Sequence, residues 1–336
     1  MYYSRFKGNH YEIGYKWGDM LFKNGKNILE KIPFPLTEKH FDFSKKSLPY
    51  YEKFFPEILE EIKGIADGQK CPYEKLYSFL ISMYSIIPTV SCSCFAVKNG
   101  KNIIFGRNSD FLKKLKKESM NCIYKFEDNG YSFTGNTTAF IEMEDGINEH
   151  GLSVGLTSVY PSVIKEGLNA GMILRLFLEK CKNVKEALDI IQTIPIASSQ
   201  TFILTDISGD IALIECNSEK TIIKNPKEEN IFLSSVNKFF TEEMQKYNLK
   251  DIDNWQSDER YKTIENILNL KAHTFDLENS INLLSGKNGF ICQYDKKGEK
   301  DTIWSVIYDL KNKEIYRAEG NPSRKSFIKD KKFFIK

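Results

Sequence analysis

Apolar residues recur at helical spacing through most of the first ninety positions. The stretches 11–28, 50–65 and 73–87 each predict a helix. The longest apolar run, 76–90, contains three serines and Pro88, and it is shorter than the roughly 20 apolar residues that span a bilayer. The pattern therefore predicts a helical N-terminal segment that contains a buried helix and no membrane span.

From Cys92 the hydrophobic period changes toward two. Residues 92–98 and 102–106 predict two strands around a tight turn at Asn99 and Gly100. Later alternating segments predict strands at 152–159, 201–206, 211–216, 221–224 and 231–236, with a helical block inserted at 171–194. The chain therefore changes architecture at Cys92.

Helix-start signals and a closing hairpin complete the pattern. Asn183 stands three places before Glu186, which predicts a helix cap, and Ser257 is predicted to cap a helix over 257–270. Residues 302–310 and 314–320 predict a hairpin. Runs of strands alternating with groups of helices favour an α+β fold in which two sheets stack between helices.

Composition excludes several functional classes. Forty-eight Lys and Arg against 45 Asp and Glu leave a net charge of +3 with interleaved signs, so no nucleic-acid partner is expected. The amino terminus has no secretory pattern, and the seven cysteines form an odd set without paired metal-type spacings. We expect a cytoplasmic protein with reduced thiols and no metal site.

The candidate chemistry lies at the change of architecture. Cys92 begins a predicted strand, and the hairpin returns Arg107, Asn108 and Asp110 alongside it. A cysteine thiol with a pKa of about 8.5 is mostly protonated at neutral pH, so a nucleophilic role needs a nearby cation or base. Arg107 is the candidate cation.

The base is less obvious. None of the four histidines lies in a recognised Cys-His-Asn pattern, although His150 is kept as a possible base of a cysteine peptidase. An α-amino group, with a pKa of about 7.7–8.0, also suits proton abstraction near neutrality. It would require cleavage between Ser91 and Cys92, which makes 1–91 a helical propeptide and 92–336 the catalytic chain.

Motifs spread along nearly the whole chain carry a family resemblance. A propeptide pattern is formed by Gly8, Tyr11, Glu12, Gly14 and Gly18, and a nucleophile pattern by Cys92, Ser93, Phe95, Gly106, Arg107, Asn108 and Asp110. Later patterns comprise Gly146, Asn148, Glu149, Gly151 and Leu152, then Arg175, Leu178, Glu179, Glu186, Ala187, Leu188, Asp206, Gly209, Asp210 and Glu215, then Val236, Asn237 and Lys238. In this order they resemble the penicillin acyltransferase-type autoproteolytic family of N-terminal nucleophile (Ntn) hydrolases, relatives of choloylglycine hydrolase and acid ceramidase.

The resemblance implies a four-layer αββα sandwich of two antiparallel sheets flanked by helices, with a helical propeptide. It makes Cys92 the nucleophile and its freed α-amino group the base, and it places Asp110 at that amine. Cys94 is a structural neighbour on this interpretation, because Cys92 has the family's spacing to Asp110.

Three further residues take roles from the resemblance. Arg107 would hold the thiolate and the carboxylate network, Asn237 would donate to the oxyanion hole, and Arg260 would lie near the nucleophile. The sequence departs from the family's motifs at Val236 and Lys238 and again at Phe290 and Gln293. The resemblance implies that these departures affect substrate contacts more than the nucleophile.

The implied function is a self-cleaving hydrolase or acyltransferase. It would act on a linear non-peptide amide, a small-molecule acyl donor, through a Cys92 thioester and without metal or organic cofactor. The resemblance leaves a homo-oligomer open. Two alternatives stay open: an uncleaved, non-catalytic binding protein on the same fold, and a cysteine peptidase that uses His150.

Overall fold

Helices and strands group along the chain much as the hydrophobic pattern predicts. The structure, a computed structural model, describes residues 1–32, 34–86, 91–226, 231–295 and 297–336. The α-helices are α1 (His10–Lys23), α2 (Glu38–Phe54), α3 (Pro56–Gln69), α4 (Tyr73–Ser82), α5 (Ala170–Lys180), α6 (Val184–Ile191), α7 (Glu242–Gln245), α8 (Ser257–Lys271) and α9 (Leu277–Leu284). The strands are β1 (Tyr2–Gly8), β2 (Ser91–Lys98), β3 (Ile103–Leu112), β4 (Met120–Phe126), β5 (Phe133–Thr137), β6 (Asp145–Asn148), β7 (Ser153–Ser158), β8 (Gln200–Thr205), β9 (Ile211–Cys216), β10 (Thr221–Lys224), β11 (Phe232–Ser235), β12 (Tyr294–Asp295), β13 (Lys300–Asp309), β14 (Glu314–Ala318) and β15 (Ile328–Asp330).

The strands form two sheets. The first has the order β1-β4-β5-β6-β7-β8-β9-β10, and the second has the order β11-β2-β3-β13-β14-β15, with β12 paired to β13. The predicted hairpin is β2 and β3, in which Ser91 pairs with Asp110 and Cys92 with Ser109. The register brings the residues of the nucleophile motif side by side.

Three cores hold the layers together. The two sheets pack through an apolar layer from both sheets, including Ala96, Phe105, Ile147, Ile203 and Leu213. A larger core joins the first sheet to α5 and the N-terminal helices, and a third lies between the second sheet and α8 and α9. The predicted α+β fold of two stacked sheets with helices outside them is confirmed.

The N-terminal segment, residues 1–91, differs from its prediction in several respects. The predicted helix 50–65 is divided between two helices, because Pro56 cannot continue the hydrogen bonds of α2 and begins α3 instead. The first residues of the segment form β1, which pairs parallel to β4, so the first sheet is not wholly antiparallel. Alternating exposed and buried side chains in β1 fit an edge strand, but the stretch is too short to stand out beside the helical pattern that follows it. The predicted helix 73–87 ends at Ser82, and residues 87–90 lie outside the described part of the chain.

Glycines explain part of the N-terminal motif. A Cβ on Gly14 would lie 2.1 Å from the Glu61 carbonyl oxygen, and one on Gly18 would lie 2.4 Å from the Ile65 carbonyl oxygen. Gly64 faces the backbone of α1 equally closely. These glycines therefore serve close packing of α1 on α3 rather than chemistry.

One predicted cap is confirmed and one is wrong. The Asn183 side chain accepts from the Glu186 amide at 2.9 Å, as predicted. Ser257, by contrast, is the first residue of α8, and its hydroxyl donates to the Asn254 carbonyl at 2.6 Å. Gln256 occupies the cap position with φ 56°, a left-handed conformation that a serine pattern does not reveal.

A buried polar network ties the N-terminal segment to α5. At neutral pH His10 donates to Glu179 at 2.8 Å and to Asp128 at 2.7 Å. Arg175 donates to Glu179 at 2.6 Å and pairs with Glu61 of α3. Burial lowers the pKa of His10, but Glu179 outweighs burial and the pKa rises to about 9. Charged groups buried in such a network are stable only when paired, so the two segments depend on each other.

We expect the His10 network to stabilise the fold in a pH-dependent way. A raised histidine pKa contributes stability that is complete below the unfolded value of 6.5 and is lost as pH rises through about 9. In a Cys92→Ala background, the loss of unfolding free energy caused by His10→Gln should therefore shrink by about 3 kcal/mol between about pH 6 and pH 9.5. Urea denaturation at each pH measures it, and a loss that does not change with pH would contradict the charged His10.

Candidate active site

The Cys92 thiol lies between the two sheets. Its side chain is fully buried, and Arg107 of the neighbouring strand donates to Sγ at 2.8 Å. Burial raises the pKa of the thiol to about 12, and the Arg107 cation opposes that rise. In the uncleaved chain the thiol therefore holds its proton, and attack requires a base to remove it.

Arg107 is anchored on the opposite sheet. Its guanidinium donates to the Leu156 carbonyl at 3.0 and 3.1 Å and to Asp145 at 2.8 Å. Asp145 also accepts from Trp304 at 2.9 Å and from Tyr308 at 3.0 Å. This carboxylate compensates the buried cation and leaves Arg107 one nitrogen for the thiol.

Asp110 lies on the other face of β3. Successive strand residues point to opposite faces, so Arg107 and Asp110 are separated by the sheet. Asp110 Oδ1 accepts from Thr302 at 2.6 Å, and Oδ2 lies 3.7 Å from Arg260. Burial raises the pKa of Asp110 to about 6, with Arg260 and the Thr302 hydroxyl acting against it.

Arg260 and Asn237 surround the Ser91–Cys92 peptide. Arg260 donates to the Cys92 carbonyl at 2.6 Å and to Asn237 Oδ1 at 2.9 Å. Asn237 Oδ1 also accepts from the Cys92 amide at 2.9 Å and from the Ser91 hydroxyl at 2.8 Å, while its Nδ2 donates to the Ser158 carbonyl at 2.8 Å. The structure thus gathers Ser91, Cys92, Asn237 and Arg260 around one peptide bond.

The loop before α8 reaches the same centre. Arg260 donates to the Trp255 carbonyl at 3.0 Å and to the Asn254 carbonyl at 3.1 Å, and Gln293 donates to the Trp255 carbonyl at 2.8 Å. Trp255 and Gln256 both adopt left-handed backbone conformations, which cost about 1–3 kcal/mol each outside glycine. The loop is therefore held in a strained form by the arginine that contacts Cys92.

A cleft of about 110 Å³ opens beside Asn237. It is lined by Val159, Tyr160, Asn237, Lys238, Asn248, Leu249, Asp251, Ile252 and Asn254. Lys238, where the sequence departs from the family motif, pairs with Asp258 at 2.7 Å. The cleft has mixed apolar and polar walls and adjoins Asn237, the side chain that also accepts from the Cys92 amide.

The two remaining candidates lie away from this arrangement. The His150 ring packs edge-on to Tyr131 with centroids 4.5 Å apart, beyond the end of β6 that is remote from Asp145. Cys94 is buried in the layer between the sheets, where burial raises its pKa well above the usual value. Neither contacts the Ser91–Cys92 peptide in the described structure.

Sequence reasoning missed several residues of the site. Glu144, Asp145 and Thr302 all lie near Cys92 or Asp110, yet none stands in a motif with the nucleophile. A β-bulge between Thr302 and Trp304 turns Thr302 toward Asp110 and Trp304 toward Asp145. The sequence offers one hint of these residues, the acidic side chains at 142, 144 and 145 just before Gly146, but that hint does not show that they lie near Cys92.

Neither a metal centre nor a membrane span is found in the part of the chain that the structure describes. Within it, no cluster of three or more His, Cys, Asp or Glu side chains could hold a metal ion. The helices described there are all too short or too polar to cross a bilayer.

The chain matches the family described as acyl-coenzyme A:6-aminopenicillanic acid acyl-transferase over residues 96–324, well over half its length. The chain belongs to this family. The resemblance to Ntn hydrolases is confirmed. The match begins four residues after Cys92 and therefore does not include the predicted nucleophile.

Solved structures with distant likeness include three amide hydrolases. An N-acylethanolamine-hydrolyzing acid amidase ortholog from Caenorhabditis elegans is 19% identical, covers 66% of this chain and 93% of its own, and has a TM-score of 0.49. Penicillin V acylase from Agrobacterium tumefaciens is 16% identical, with 68% and 82% coverage and a TM-score of 0.47. A conjugated bile acid hydrolase from Clostridium perfringens is 15% identical, with 72% and 93% coverage and a TM-score of 0.48. Likeness at this level identifies no substrate, and no curated protein matches the sequence.

The Thr302 hydroxyl should hold down the pKa of Asp110. Thr302→Val removes the donor to Oδ1 with little change of shape, so the carboxylate loses stabilisation and its pKa should rise from about 6 by roughly 1. Carbon NMR titration of the Asp110 carboxyl in a Cys92→Ala background measures the change.

Ser305→Ala provides the matched control for this titration. Ser305 lies on the same strand but donates to Asn108, so its loss should leave the pKa of Asp110 unchanged. Equal titration curves for Thr302→Val and the parent protein would contradict the assigned contact.

Proposed function

We propose that this chain is a self-activating cysteine amidase or acyltransferase. The observation that carries the proposal is the environment of Cys92, whose amide nitrogen, own carbonyl and thiol are each held by a separate buried side chain: Asn237, Arg260 and Arg107. A structural cysteine in a core needs backbone partners, but it needs no cation at its sulfur. A thiol that attacks the carbonyl of the preceding residue, by contrast, requires the peptide bond between the two residues to be held in a fixed position.

The first reaction would be self-cleavage. The Cys92 thiol attacks the Ser91 carbonyl carbon, the carbon–nitrogen bond breaks, and the nitrogen takes a proton to become a free α-amino group. Water then hydrolyses the thioester and leaves Ser91 with a carboxylate. The products are a helical chain of residues 1–91 and a catalytic chain that begins at Cys92.

Turnover would use the same thiol with a new base. The α-amino group of Cys92 removes the thiol proton, as its pKa of about 7.7–8.0 permits at neutral pH. Asp110, on the amine side of β3, orients this group, and Asn237 supplies an oxyanion donor once the scissile bond is gone. The acyl group of a linear non-peptide amide forms a thioester on Cys92, the amine leaves, and water or another amine accepts the acyl group.

The N-terminal chain should stay bound after cleavage. Strand β1 pairs with β4 through seven residues, and the network of His10, Glu61, Arg175 and Glu179 bridges the two segments. Residues 1–91 and 92–336 should therefore elute together in native size exclusion and separate only on a denaturing column. Elution of free 92–336 under native conditions would contradict this interface.

Cys92→Ala should abolish both self-cleavage and amide hydrolysis, because the variant has no thiol. Cys94→Ala is the matched control, since it removes an equally buried thiol two residues away and should still mature. Intact mass spectrometry follows cleavage, and amine release from a panel of N-acyl amides, with and without an acceptor amine, follows turnover. Cleavage by Cys92→Ala, or its loss in a folded Cys94→Ala, would overturn the assignment of Cys92.

A further inference from the structure

Self-cleavage needs a different base from the one proposed for turnover. Before cleavage the Cys92 nitrogen is an amide that donates to Asn237, so it has no lone pair to act as a base. Burial keeps the thiol protonated, and Arg107 is a cation that cannot accept a proton. Another group must therefore take the thiol proton in the first step.

Three buried carboxyl groups lie near Cys92, and two are unsuited to the task. Asp145 already accepts from Arg107, Trp304, Tyr308 and Asn136, so both its oxygens are occupied. Asp110 lies on the face of β3 opposite Arg107 and the thiol, where it faces Thr302 and Arg260. In the proposed mechanism it acts on the freed α-amino group and not on the sulfur.

Glu144 lies on the thiol side. Its Oε1 accepts from the Thr138 amide at 2.9 Å and from the Thr138 hydroxyl at 2.8 Å, which fixes the carboxyl group. Its Oε2 accepts no hydrogen bond of good geometry among the described residues and lies 3.8 Å from Arg107 Nη2, while the Tyr84 hydroxyl also faces the carboxyl and acts to lower its pKa. The same nitrogen donates to Cys92 Sγ at 2.8 Å, so Glu144 and the thiol flank one guanidinium nitrogen.

We propose that Glu144 is the general base of self-cleavage, taking the Cys92 thiol proton through one bridging water. This inference rests on the proposed function and adds the residue that the maturation step lacks. The proton leaves Sγ for Glu144 as Sγ bonds to the Ser91 carbonyl carbon, and it returns to the Cys92 nitrogen as the carbon–nitrogen bond breaks. After cleavage the α-amino group replaces Glu144 as the base.

The surroundings of Glu144 suit this role. Burial raises the pKa of Glu144 to about 7, with the Arg107 cation and Thr138 opposing the rise. The titratable groups that face it are Arg107 and Cys92 of the second sheet, Tyr84 after α4 and the nearby Glu142. A carboxyl group with a pKa near the working pH is the most effective proton acceptor for a neutral thiol.

The test compares the self-cleavage rates of wild type, Glu144→Gln, Glu144→Asp and Glu142→Gln by intact mass. Glu142 is the matched control, because it is equally buried and lies two residues away, and no hydrogen bond or ion pair within the described residues joins it to Cys92 or Arg107. Loss of a general base lowers a rate by about 10²–10⁴-fold, so Glu144→Gln should cleave at least about 100-fold more slowly. Glu144→Asp should recover part of the rate, and Glu142→Gln should cleave like wild type.

A pH profile of the wild-type precursor supports the comparison even where a variant does not fold. Its cleavage rate should rise with pH and level off above about pH 7, as Glu144 loses its proton. Glu144→Gln should lack this step and keep any step near pH 6 that comes from Asp110. A wild-type rate that does not change between about pH 5 and pH 8 would overturn the assignment.

The outcomes separate the two proposals. If wild type and Glu142→Gln cleave while Glu144→Gln cleaves equally fast, Glu144 is not the base and the proposed function stands. If folded wild type remains whole at every pH, self-cleavage itself fails and the proposed function fails with it. Slowing by Glu142→Gln as large as that by Glu144→Gln would show a general effect of buried charge and overturn the role of Glu144.

Discussion

A buried guanidinium between two sheets is the constraint on which the site depends. Arg107 lies on a strand of the second sheet and donates to the Leu156 carbonyl and the Asp145 carboxylate of the first sheet. The cation therefore fixes the two sheets against each other at Cys92. An unpaired charge at this depth would cost several kcal/mol. Asp145 supplies the opposite charge for Arg107, and hydrogen-bond donors from Trp304 and Tyr308 stabilise this carboxylate in turn. The guanidinium also donates to the Ser109 hydroxyl and to the Cys92 sulfur.

The two faces of β3, the strand that carries Arg107, hold different groups of site residues. On the face between the sheets lie the thiol, Arg107 and Glu144; on the outer face lie Asp110, Thr302 and the Arg260 helix. The thiol and the nitrogen of one cysteine thus have separate partners. This division suits the proposed mechanism, in which the sulfur is the nucleophile in both reactions and the nitrogen is first a leaving group and afterwards a base.

Much of this could be predicted from the sequence, because the signals are local. The β2–β3 hairpin follows from alternation and an Asn-Gly turn, and it alone brings Arg107 and Asp110 beside Cys92. In the N-terminal segment, apolar spacing indicates α1, α3 and α4, but it does not separate α2 from α3 at Pro56. The family match confirms the resemblance that the ordered motifs had indicated.

The parts that could not be predicted depend on long-range packing. Strand β1 is defined by its partner β4, more than a hundred residues away, and not by its own short pattern. The bulge at Thr302 decides which residue meets Asp110, and the strained turn at Trp255 and Gln256 displaced the predicted cap of α8. Glu144 lies in a run of acidic residues in which only the fold distinguishes one carboxyl group from the next.

The central claim is that Cys92 becomes an amino-terminal nucleophile. The most direct measurement treats purified, denatured protein with an aldehyde that condenses only with an amino-terminal cysteine, and then records the intact mass. The account predicts two chains, with the adduct on the chain that begins at Cys92 and none on the chain that ends at Ser91. A single unmodified chain of 38.9 kDa after prolonged incubation would contradict it.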